Sequence, residues 1–253
     1  MTLTLPIREQ RTVIPGRVLL VDSDLMLYLS RDPDEPVNFI LHSVKEMLLD
    51  MQEKTQCETM RCILSSPTNF RYEIAENYKA NRKDKEKPPH YQATKDYLIQ
   101  HWDAEIAPDG YEADDMLAKQ MILALDDGLH ASAPIIATLD KDFQTVSGWY
   151  YKWRGHHAGN IFWVNEEDAG NFLAYQLTCG DSADNILSPV RPKLKSGEYA
   201  KSGYGHVKAR DFLLQYDTAA ERLQAVKDLY AEQGYSKEYE VNYVLLAIGR
   251  TEV

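Results

Sequence analysis

Short apolar runs alternate along this chain with longer segments in which apolar residues recur every three or four positions. The short runs predict buried strands at 17–22, 60–64, 105–107 and 135–139. The periodic segments predict helices at 37–54, 72–82, 93–102, 112–125 and 165–178. Strands that alternate with helices in this way favour an α/β fold, in which helices cover both faces of a mostly parallel sheet.

The last part of the chain departs from this alternation. Residues 149–153 and 161–164 are rich in aromatic and apolar side chains and predict a β-hairpin, with His156 and His157 at its tip. Further helices are predicted at 211–216, 218–233 and 237–248. We therefore expect a helical region that is attached to the sheet.

Composition limits the chain of 253 residues to one large domain, or to one domain with an appendage. An apolar fraction of 44% is enough for a sizeable core, and no apolar stretch reaches the length of a membrane helix. Residues 1–17 contain arginines but no apolar signal core, so we interpret them as an N-terminal extension. The cysteines Cys57, Cys62 and Cys179 form neither a CxxC pair nor a disulfide framework, which fits a reducing cytosol.

The net charge of −11, taken as a sum, argues against a nucleic-acid partner. The distribution of charge along the chain matters more than this sum. Much of the excess acid lies in a few short motifs, whereas segments 71–95 and 190–210 are basic. Either basic segment alone is typical of an ordinary solvated loop. Basic segments on either side of an acidic pocket would hold a phosphate backbone across a metal site.

Eight carboxylates follow predicted strands or lie at predicted helix starts. They are Asp22, Glu112, Asp114, Asp115, Asp140, Asp142, Asp181 and Asp184. Taken singly, such acids often only cap a helix or complement its dipole. Taken together they predict one acidic rim at the edge of a parallel sheet, where like charges repel unless cations fill the site. Oxygen ligands suit Mg²⁺ or Mn²⁺, so the pattern predicts a metal-dependent phosphoryl-transfer site.

Six motifs, spread in order over most of the chain, carry a family resemblance. They are Val21-Asp22-Ser23, Asn69 to Arg82, Gly110 to Asp115, Thr138 to Asp142, Gly180 to Ile186 and Gly203 to Ala209. In this order they resemble the 5′→3′ exonuclease and flap endonuclease family, especially its bacteriophage and bacterial members. The resemblance implies a central sheet of the PIN type, a DNA substrate, two or more divalent ions, and cleavage near a 5′ end or at a 5′-flap junction.

The same resemblance implies how the chain is divided. After the extension at 1–17, a PIN-like nuclease domain would occupy 18–180, and a helical DNA-binding region would occupy 181–253. Residues of about 72–101 would form an arch or clamp over the active site. Residues of about 181–212 would form a helix–three-turn–helix element, which grips the duplex backbone without reading sequence.

By matching position, the resemblance implies two sets of metal ligands. One ion would be served by Asp22, Glu112, Asp114 and Asp115. The other would be served, in part through water, by Asp140, Asp142, Asp181 and Asp184. Asp24 is also acidic and close to Asp22 in sequence, but the family does not require an acid there.

The first part of this arch supplies the expected catalytic cations. The resemblance implies that Lys79 and Arg82 contact the scissile phosphate, and that Arg71 and Tyr78 contact DNA, the tyrosine by stacking on a base. If 72–82 is a helix, residues 71, 78 and 82 share one side of it. The alternative is an amphipathic surface helix whose cations are only solvated.

Two features depart from the family pattern. Ser65-Ser66 follows the second strand where many members have an aspartate, so one carboxylate of the usual set is missing. The insertion at 187–201 separates Asp184 from the glycine-rich turn, whose expected DNA contacts are Gly203, Gly205 and Lys208. That turn often binds K⁺ through its backbone, and the insertion leaves K⁺ binding open here.

We therefore expect a divalent-metal-dependent 5′ nuclease that acts on DNA in replication, repair or recombination. The small size favours a stand-alone phage enzyme in the cytoplasm of its host. Two alternatives remain open: a catalytically degenerate DNA-binding scaffold of the same fold, and a PIN-type ribonuclease that removes an RNA primer from DNA. The sequence does not decide between exonuclease and flap endonuclease activity.

Overall fold

The computed structural model describes residues 13–30, 32–82, 85–129, 132–155 and 158–250. Its centre is a six-stranded mixed sheet in the order β3-β2-β1-β4-β5-β6. The strands are β1 (Ile14–Asp22), β2 (Cys57–Leu64), β3 (Glu105–Ile106), β4 (Ile135–Ala137), β5 (Gly148–Tyr151) and β6 (Ile161–Val164). Neighbouring strands are parallel except for the hairpin pair β5 and β6. The predicted α/β fold, with a mostly parallel sheet, is confirmed.

Helices cover both faces of this sheet. They are α1 (Val37–Lys54), α2 (Arg71–Ile74), α3 (Tyr91–Trp102), α4 (Ala113–Asp126), α5 (Glu166–Cys179), α6 (His206–Leu213), α7 (Ala219–Glu232) and α8 (Ser236–Leu246). One core lies between the sheet and helices α1 and α3, and a second lies between the sheet and α4. Leu19, Leu20 and Val21 contribute to these two cores, which explains why the second half of β1 is a continuous apolar run.

A third core joins α5 to the later helices. Leu173 and Leu177 of α5 pack with apolar side chains of α7 and α8, including Val226 and Leu246. The predicted division at residue 180 therefore follows α5 in the sequence but cuts through one packed core. No helix in the described ranges is long and apolar enough to cross a membrane.

The predicted helix at 72–82 is wrong. The helix α2 ends at Ile74, because Ala75 adopts an extended conformation, and Lys79 has a positive φ of 50°. The backbone turns here because the N–H of Lys79 donates to the carbonyl oxygen of Asp184 at 2.9 Å, a contact that a continuous helix would not make. A short 3₁₀ turn at Ala80–Arg82 follows.

Other boundaries also differ from the prediction. Strand β1 begins at Ile14, so it takes up the end of the expected extension at 1–17, whose first twelve residues lie outside the described part. Helix α6 begins at His206 rather than at 211, directly after its N-cap Gly205. The predicted hairpin tip at His156 and His157, and residues 83–84 of the predicted arch, also lie outside the described residues.

The parallel strands direct several acids to one edge of the sheet. Asp22 is the last residue of β1, Asp140 follows β4, and Asp181 follows α5 through Gly180. Gly180 has a φ of +79°, and a side chain there would meet the Ile186 carbonyl oxygen at 2.5 Å. Only glycine fits this turn, and the turn fixes where Asp181 begins its loop.

We predict that Gly180→Ala lowers the free energy of unfolding by about 2–6 kcal/mol, since backbone strain and overpacking each cost about 1–3 kcal/mol. The matched control is Gly128→Ala, which has a φ of +76° and nothing within 4 Å of the added methyl group. That control should cost only about 1–2 kcal/mol of strain. Urea unfolding measures both variants, and equal losses would contradict the close approach at Gly180.

Candidate active site

A cavity of about 770 Å³ opens at the carboxyl edge of the sheet. Its acidic wall is formed by Asp22, Asp24, Glu112, Asp114 and Asp140. Its basic and aromatic side chains are Lys79, Arg82, Lys85, Lys87, Lys95, Tyr28, Tyr72 and Tyr91. The cavity therefore brings carboxylates, cationic groups and aromatic rings together around one space.

A buried ion pair anchors one side of this cavity. The Nη1 and Nη2 atoms of Arg71 donate to the two oxygens of Asp115, each at 2.7 Å, and neither side chain is more than 3% exposed. The guanidinium also lies 4.7 Å from the centre of the Phe70 ring. Arg71 is thus enclosed in the interior and offers no surface to DNA in this structure, and Asp115 is committed to it.

Glu112 is the centre of a second cluster. Lys79 Nζ lies 2.6 Å from Glu112 Oε1, and the Tyr78 hydroxyl lies 3.0 Å from Glu112 Oε2 and 3.2 Å from Asp184 Oδ2. Burial alone would raise the pKa of Glu112, but Lys79 outweighs it and the pKa is lowered. Burial alone would lower the pKa of Lys79, but Glu112, Asp114 and Asp184 hold it raised. Lys79 is therefore a fixed cation, and the buried Tyr78 ring is not open for stacking on a base.

The segment that carries these side chains docks on the loop after α5. Arg82 Nη2 donates to Asp184 Oδ1 at 2.5 Å, and the side-chain amide of Asn81 donates to the Ser182 and Ala183 carbonyl oxygens. In the opposite direction, the Asn185 amide donates to the Asn77 carbonyl oxygen at 2.8 Å. Carboxylates are contacted by all four side chains of this segment that were expected to serve the site: Arg71, Tyr78, Lys79 and Arg82. The predicted helix would have placed these side chains together on one side. They converge through this docking and not through a helix.

Asp22 and Asp140 are joined by a threonine. The Thr138 hydroxyl donates to Asp22 Oδ2 at 2.9 Å and accepts from the Asp140 N–H at 3.0 Å. Burial raises the pKa of Asp22 to about 8, and the charges of Asp24 and Asp140 contribute to the rise. Burial, followed by Glu112 and Asp115, raises the pKa of Asp114 well above its usual value. These two carboxyl groups resist carrying charge unless a cation is nearby.

Asp142 and Asp181 form a separate group beside the cavity. Lys141 Nζ contacts both carboxylates, and Gln176 Nε2 donates to Asp142 Oδ1 at 2.7 Å and to Asp181 Oδ2 at 3.2 Å. Burial and Asp140 raise the pKa of Asp142 to about 6. Burial would raise the pKa of Asp181, but its contact with Lys141 lowers it. The four carboxylates of the expected second set are therefore not all in one group. Asp140 lies in the cavity, and Asp184 shares the Lys79 ammonium with Glu112.

The glycine-rich turn precedes helix α6 and does not line the acidic cavity. Gly205 is the N-cap of α6, and Gly203, Gly205 and Lys208 are exposed. Exposed N–H groups at a helix start suit the binding of an anion such as a phosphate. The predicted DNA contacts of this turn are therefore accessible.

Sequence reasoning missed several side chains of the site. Thr138 and Gln176 carry no charge, and only a polar residue on the otherwise apolar face of α5 could have signalled Gln176. Lys141 was noted within its motif but given no role. Asp24 was named without a role, although it lines the cavity with Asp22.

The donor set fits a hard divalent cation. Every predicted ligand is a carboxylate, and buried carboxyl groups with raised pKa values favour a compensating cation. Among the described residues, no three His, Cys, Asp or Glu side chains are already placed to hold a metal ion. Lys79, Arg82 and Lys141 instead neutralise Glu112, Asp184 and Asp181. A metal would therefore compete with these side chains for the same oxygens.

Residues 19–158 match the sequence family described as 5′-3′ exonuclease, N-terminal resolvase-like domain. The chain belongs to this family. A comparison with curated protein sequences gives no match.

Solved structures of bacteriophage T5 proteins share the fold of this 5′-3′ exonuclease family member. The T5 D15 protein co-crystallised with metal ions has a TM-score of 0.62 at 15% identity, over 92% of this chain and 90% of that one. The T5 D15 flap endonuclease in a complex with DNA and metal ions has a TM-score of 0.61 at 14% identity, over 92% and 89%. The T5 5′-exonuclease with bound zinc has a TM-score of 0.60 at 14% identity, over the same shares. The predicted PIN-like fold is confirmed.

The buried pair predicts a large loss of stability when only one partner is removed. Arg71→Met leaves the Asp115 carboxylate buried without its cation, which costs about 3–5 kcal/mol. The matched control is Arg61→Met, because Arg61 also contacts a carboxylate through two nitrogens, at Glu105, but its side chain is 42% exposed. That control should cost less than about 1 kcal/mol. Similar urea midpoints for the two variants would rule out the anchoring role of Arg71.

The raised pKa of Asp22 predicts a pH-dependent stability in EDTA. The unfolded chain releases this proton near 3.8 and the folded chain near 8, so this group makes the fold less stable as the pH rises between those values. Asp22→Asn removes the effect. At pH 8 the variant should be more stable than the wild type by at least about 1.4 kcal/mol, the equivalent of one pKa unit. The difference should shrink toward pH 4.5, and a difference independent of pH would contradict the buried, unpaired carboxyl group.

Proposed function

We propose that this member of the 5′-3′ exonuclease family is a divalent-metal-dependent nuclease that hydrolyses DNA phosphodiesters at 5′ ends or 5′-flap junctions. The observation that carries the proposal is the cavity that Asp22, Asp114 and Asp140 line together with Lys79 and Arg82. Metal ions would meet the carboxylates of that cavity, and a phosphate would meet its cations.

The metal would be Mg²⁺ or Mn²⁺, in two or more ions. The T5 proteins with the same fold were crystallised with metal ions, which supports the choice of a divalent cation. Asp22, Glu112, Asp114 and Asp140 would hold ions in the cavity, and Asp142, Asp181 and Asp184 would serve beside it. When bound, such ions lower the pKa of water for attack and neutralise the leaving 3′ oxygen.

Lys79 and Arg82 would act on the phosphate. In the structure both are bound to carboxylates, Lys79 to Glu112 and Arg82 to Asp184. Cations that share these acids would free the two side chains, which would then offset the charge that develops on the transferred phosphoryl group. Arg82 is already half exposed at the cavity, so it needs the smaller movement.

The DNA would be held without reading its sequence. Tyr28 and Tyr72 are exposed at the cavity, where their rings offer stacking surfaces for bases. Gly203, Gly205 and Lys208 would contact the duplex backbone at the start of α6. A T5 protein of this fold was solved with DNA, which supports a DNA substrate. A role in replication, repair or recombination in a cytoplasm, that of the host for a phage enzyme, belongs to the same proposal.

The proposal predicts that Asp140→Asn lowers the rate of cleavage in Mg²⁺ more than about 100-fold, since even outer-shell partners of metals often change activity about 10- to 100-fold. Asp127→Asn at the far end of α4 is the control and should cleave like the wild type. Substrates with a 5′ flap, a nick or a blunt end, labelled at each end, give the product lengths. Unchanged cleavage by Asp140→Asn would refute the site.

The same assay separates the rival functions. Binding of flap DNA without release of product at any Mg²⁺ concentration would identify a scaffold. Cleavage confined to substrates with a 5′ RNA segment would identify a primer-removing ribonuclease.

A further inference from the structure

Asp24 lies inside the acidic cavity although no role was assigned to it from the sequence. It belongs to the 3₁₀ turn Ser23–Tyr28 that directly follows β1, which brings it two residues beyond Asp22. Its side chain lines the same cavity as Asp22, Asp114 and Asp140. The turn therefore delivers a second carboxylate from the end of a single strand.

The backbone after β2 holds the Asp24 carboxylate in place. The N–H of Ser65 lies 3.2 Å from each of the two Asp24 oxygens. The Ser65 hydroxyl accepts from the N–H of Ala113, the first residue of α4, at 2.9 Å. Ser65 thus ties Asp24 to the helix start that carries Asp114, so the two acids keep a fixed relation.

The acids of the region fall into two classes by their partners. Glu112, Asp115, Asp142, Asp181 and Asp184 each have a Lys or Arg nitrogen within 4.0 Å.

The second class has no such partner among the residues that the structure describes. It comprises Asp22, Asp24, Asp114 and Asp140. All four line one cavity, so the carboxylates that lack a protein cation are gathered in one place. Asp22 is buried, Asp24 and Asp114 are partly buried, and Asp140 is exposed at the cavity. Carboxylates held this close to the interior without a cation favour a compensating ion, and their oxygens suit a hard divalent one.

On the basis of the proposed function, we propose that Asp24 is a ligand of the divalent ion that Asp22, Asp114 and Asp140 hold in the cavity. The contact with the Ser65 N–H leaves lone pairs free on both Asp24 oxygens. Ligation then requires these side chains, which line one cavity but do not yet surround an ion, to turn toward a common point. Ser65 supplies no carboxylate where many family members have an aspartate, and Asp24 places a carboxylate next to the Ser65 backbone.

Binding of Mn²⁺ to the whole protein without DNA tests this role by calorimetry and by electron paramagnetic resonance of free Mn²⁺. Asp24→Asn should weaken the tightest Mn²⁺ site at least 10-fold, in line with the effect of lost metal contacts. The matched control is Glu86→Gln, which removes one negative charge from an exposed side chain that lines the same cavity. That control should change affinity less than about 3-fold, because exposed charges are screened by solvent and salt. Equal Mn²⁺ affinities for Asp24→Asn and the wild type would overturn the assignment.

A second variant distinguishes metal ligation by Asp24 from a purely structural role of its side chain. In Asp24→Asn combined with Ser65→Asp, the new carboxylate starts from a backbone position 3.2 Å from the old one and can reach the same ion. We expect the double variant to recover most of the lost Mn²⁺ affinity. A loss without recovery would assign Asp24 to holding the Ser65 loop, and would equally overturn the ligand role.

The outcomes also separate this inference from the proposed function. A wild-type protein that neither binds Mn²⁺ nor cleaves flap DNA would refute the proposed function itself. A wild-type protein that does both, with Asp24→Asn unchanged in Mn²⁺ affinity, would refute only the role of Asp24.

Discussion

Mutual repulsion among carboxylates at one edge of a parallel sheet is the constraint on which this structure depends. The edge collects Asp22 from β1, Asp140 after β4 and the acids at the start of α4, because the carboxyl ends of parallel strands face the same side. Basic side chains of the segment 71–82 offset part of that charge. The fold near the site is therefore organised as much by charge compensation as by apolar packing.

The carboxylates near the site are neutralised to different degrees, and this difference bears on function. Arg71 saturates Asp115 with two short contacts in the interior, which fixes α2 against α4. Lys79 and Arg82 neutralise Glu112 and Asp184 nearer the surface, where a metal and a phosphate would exchange with them. The cavity keeps the acids that lack any such partner in the described chain. The contacts of Arg71 thus stabilise the site, whereas those of Lys79 and Arg82 can be exchanged for a metal and a phosphate. The carboxylates that lack a Lys or Arg partner in the described chain remain to bind cations.

Much of this could be predicted from the sequence, because strand-ending acids and apolar runs are local signals. The sheet, the hairpin β5–β6 and the gathering of Asp22, Glu112, Asp114 and Asp140 follow from such signals. The conformation of residues 72–82 could not be predicted, since its turn is imposed by contacts with a loop about a hundred residues later.

Burial of single side chains was equally hidden from the sequence. An arginine within a family motif is expected to contact DNA, and only the packing of Phe70 and Asp115 around Arg71 shows it to be enclosed. The roles of Thr138 and Gln176 in the site could not be predicted, because neutral hydrogen-bonding residues form no sequence pattern that distinguishes a site from a core.

The most direct test of the central claim is anomalous diffraction at the manganese edge from crystals soaked in Mn²⁺. The account predicts manganese peaks among Asp22, Asp114 and Asp140, with Lys79 withdrawn from Glu112. Crystals that bind manganese only elsewhere, with the cavity acids unchanged, would contradict it.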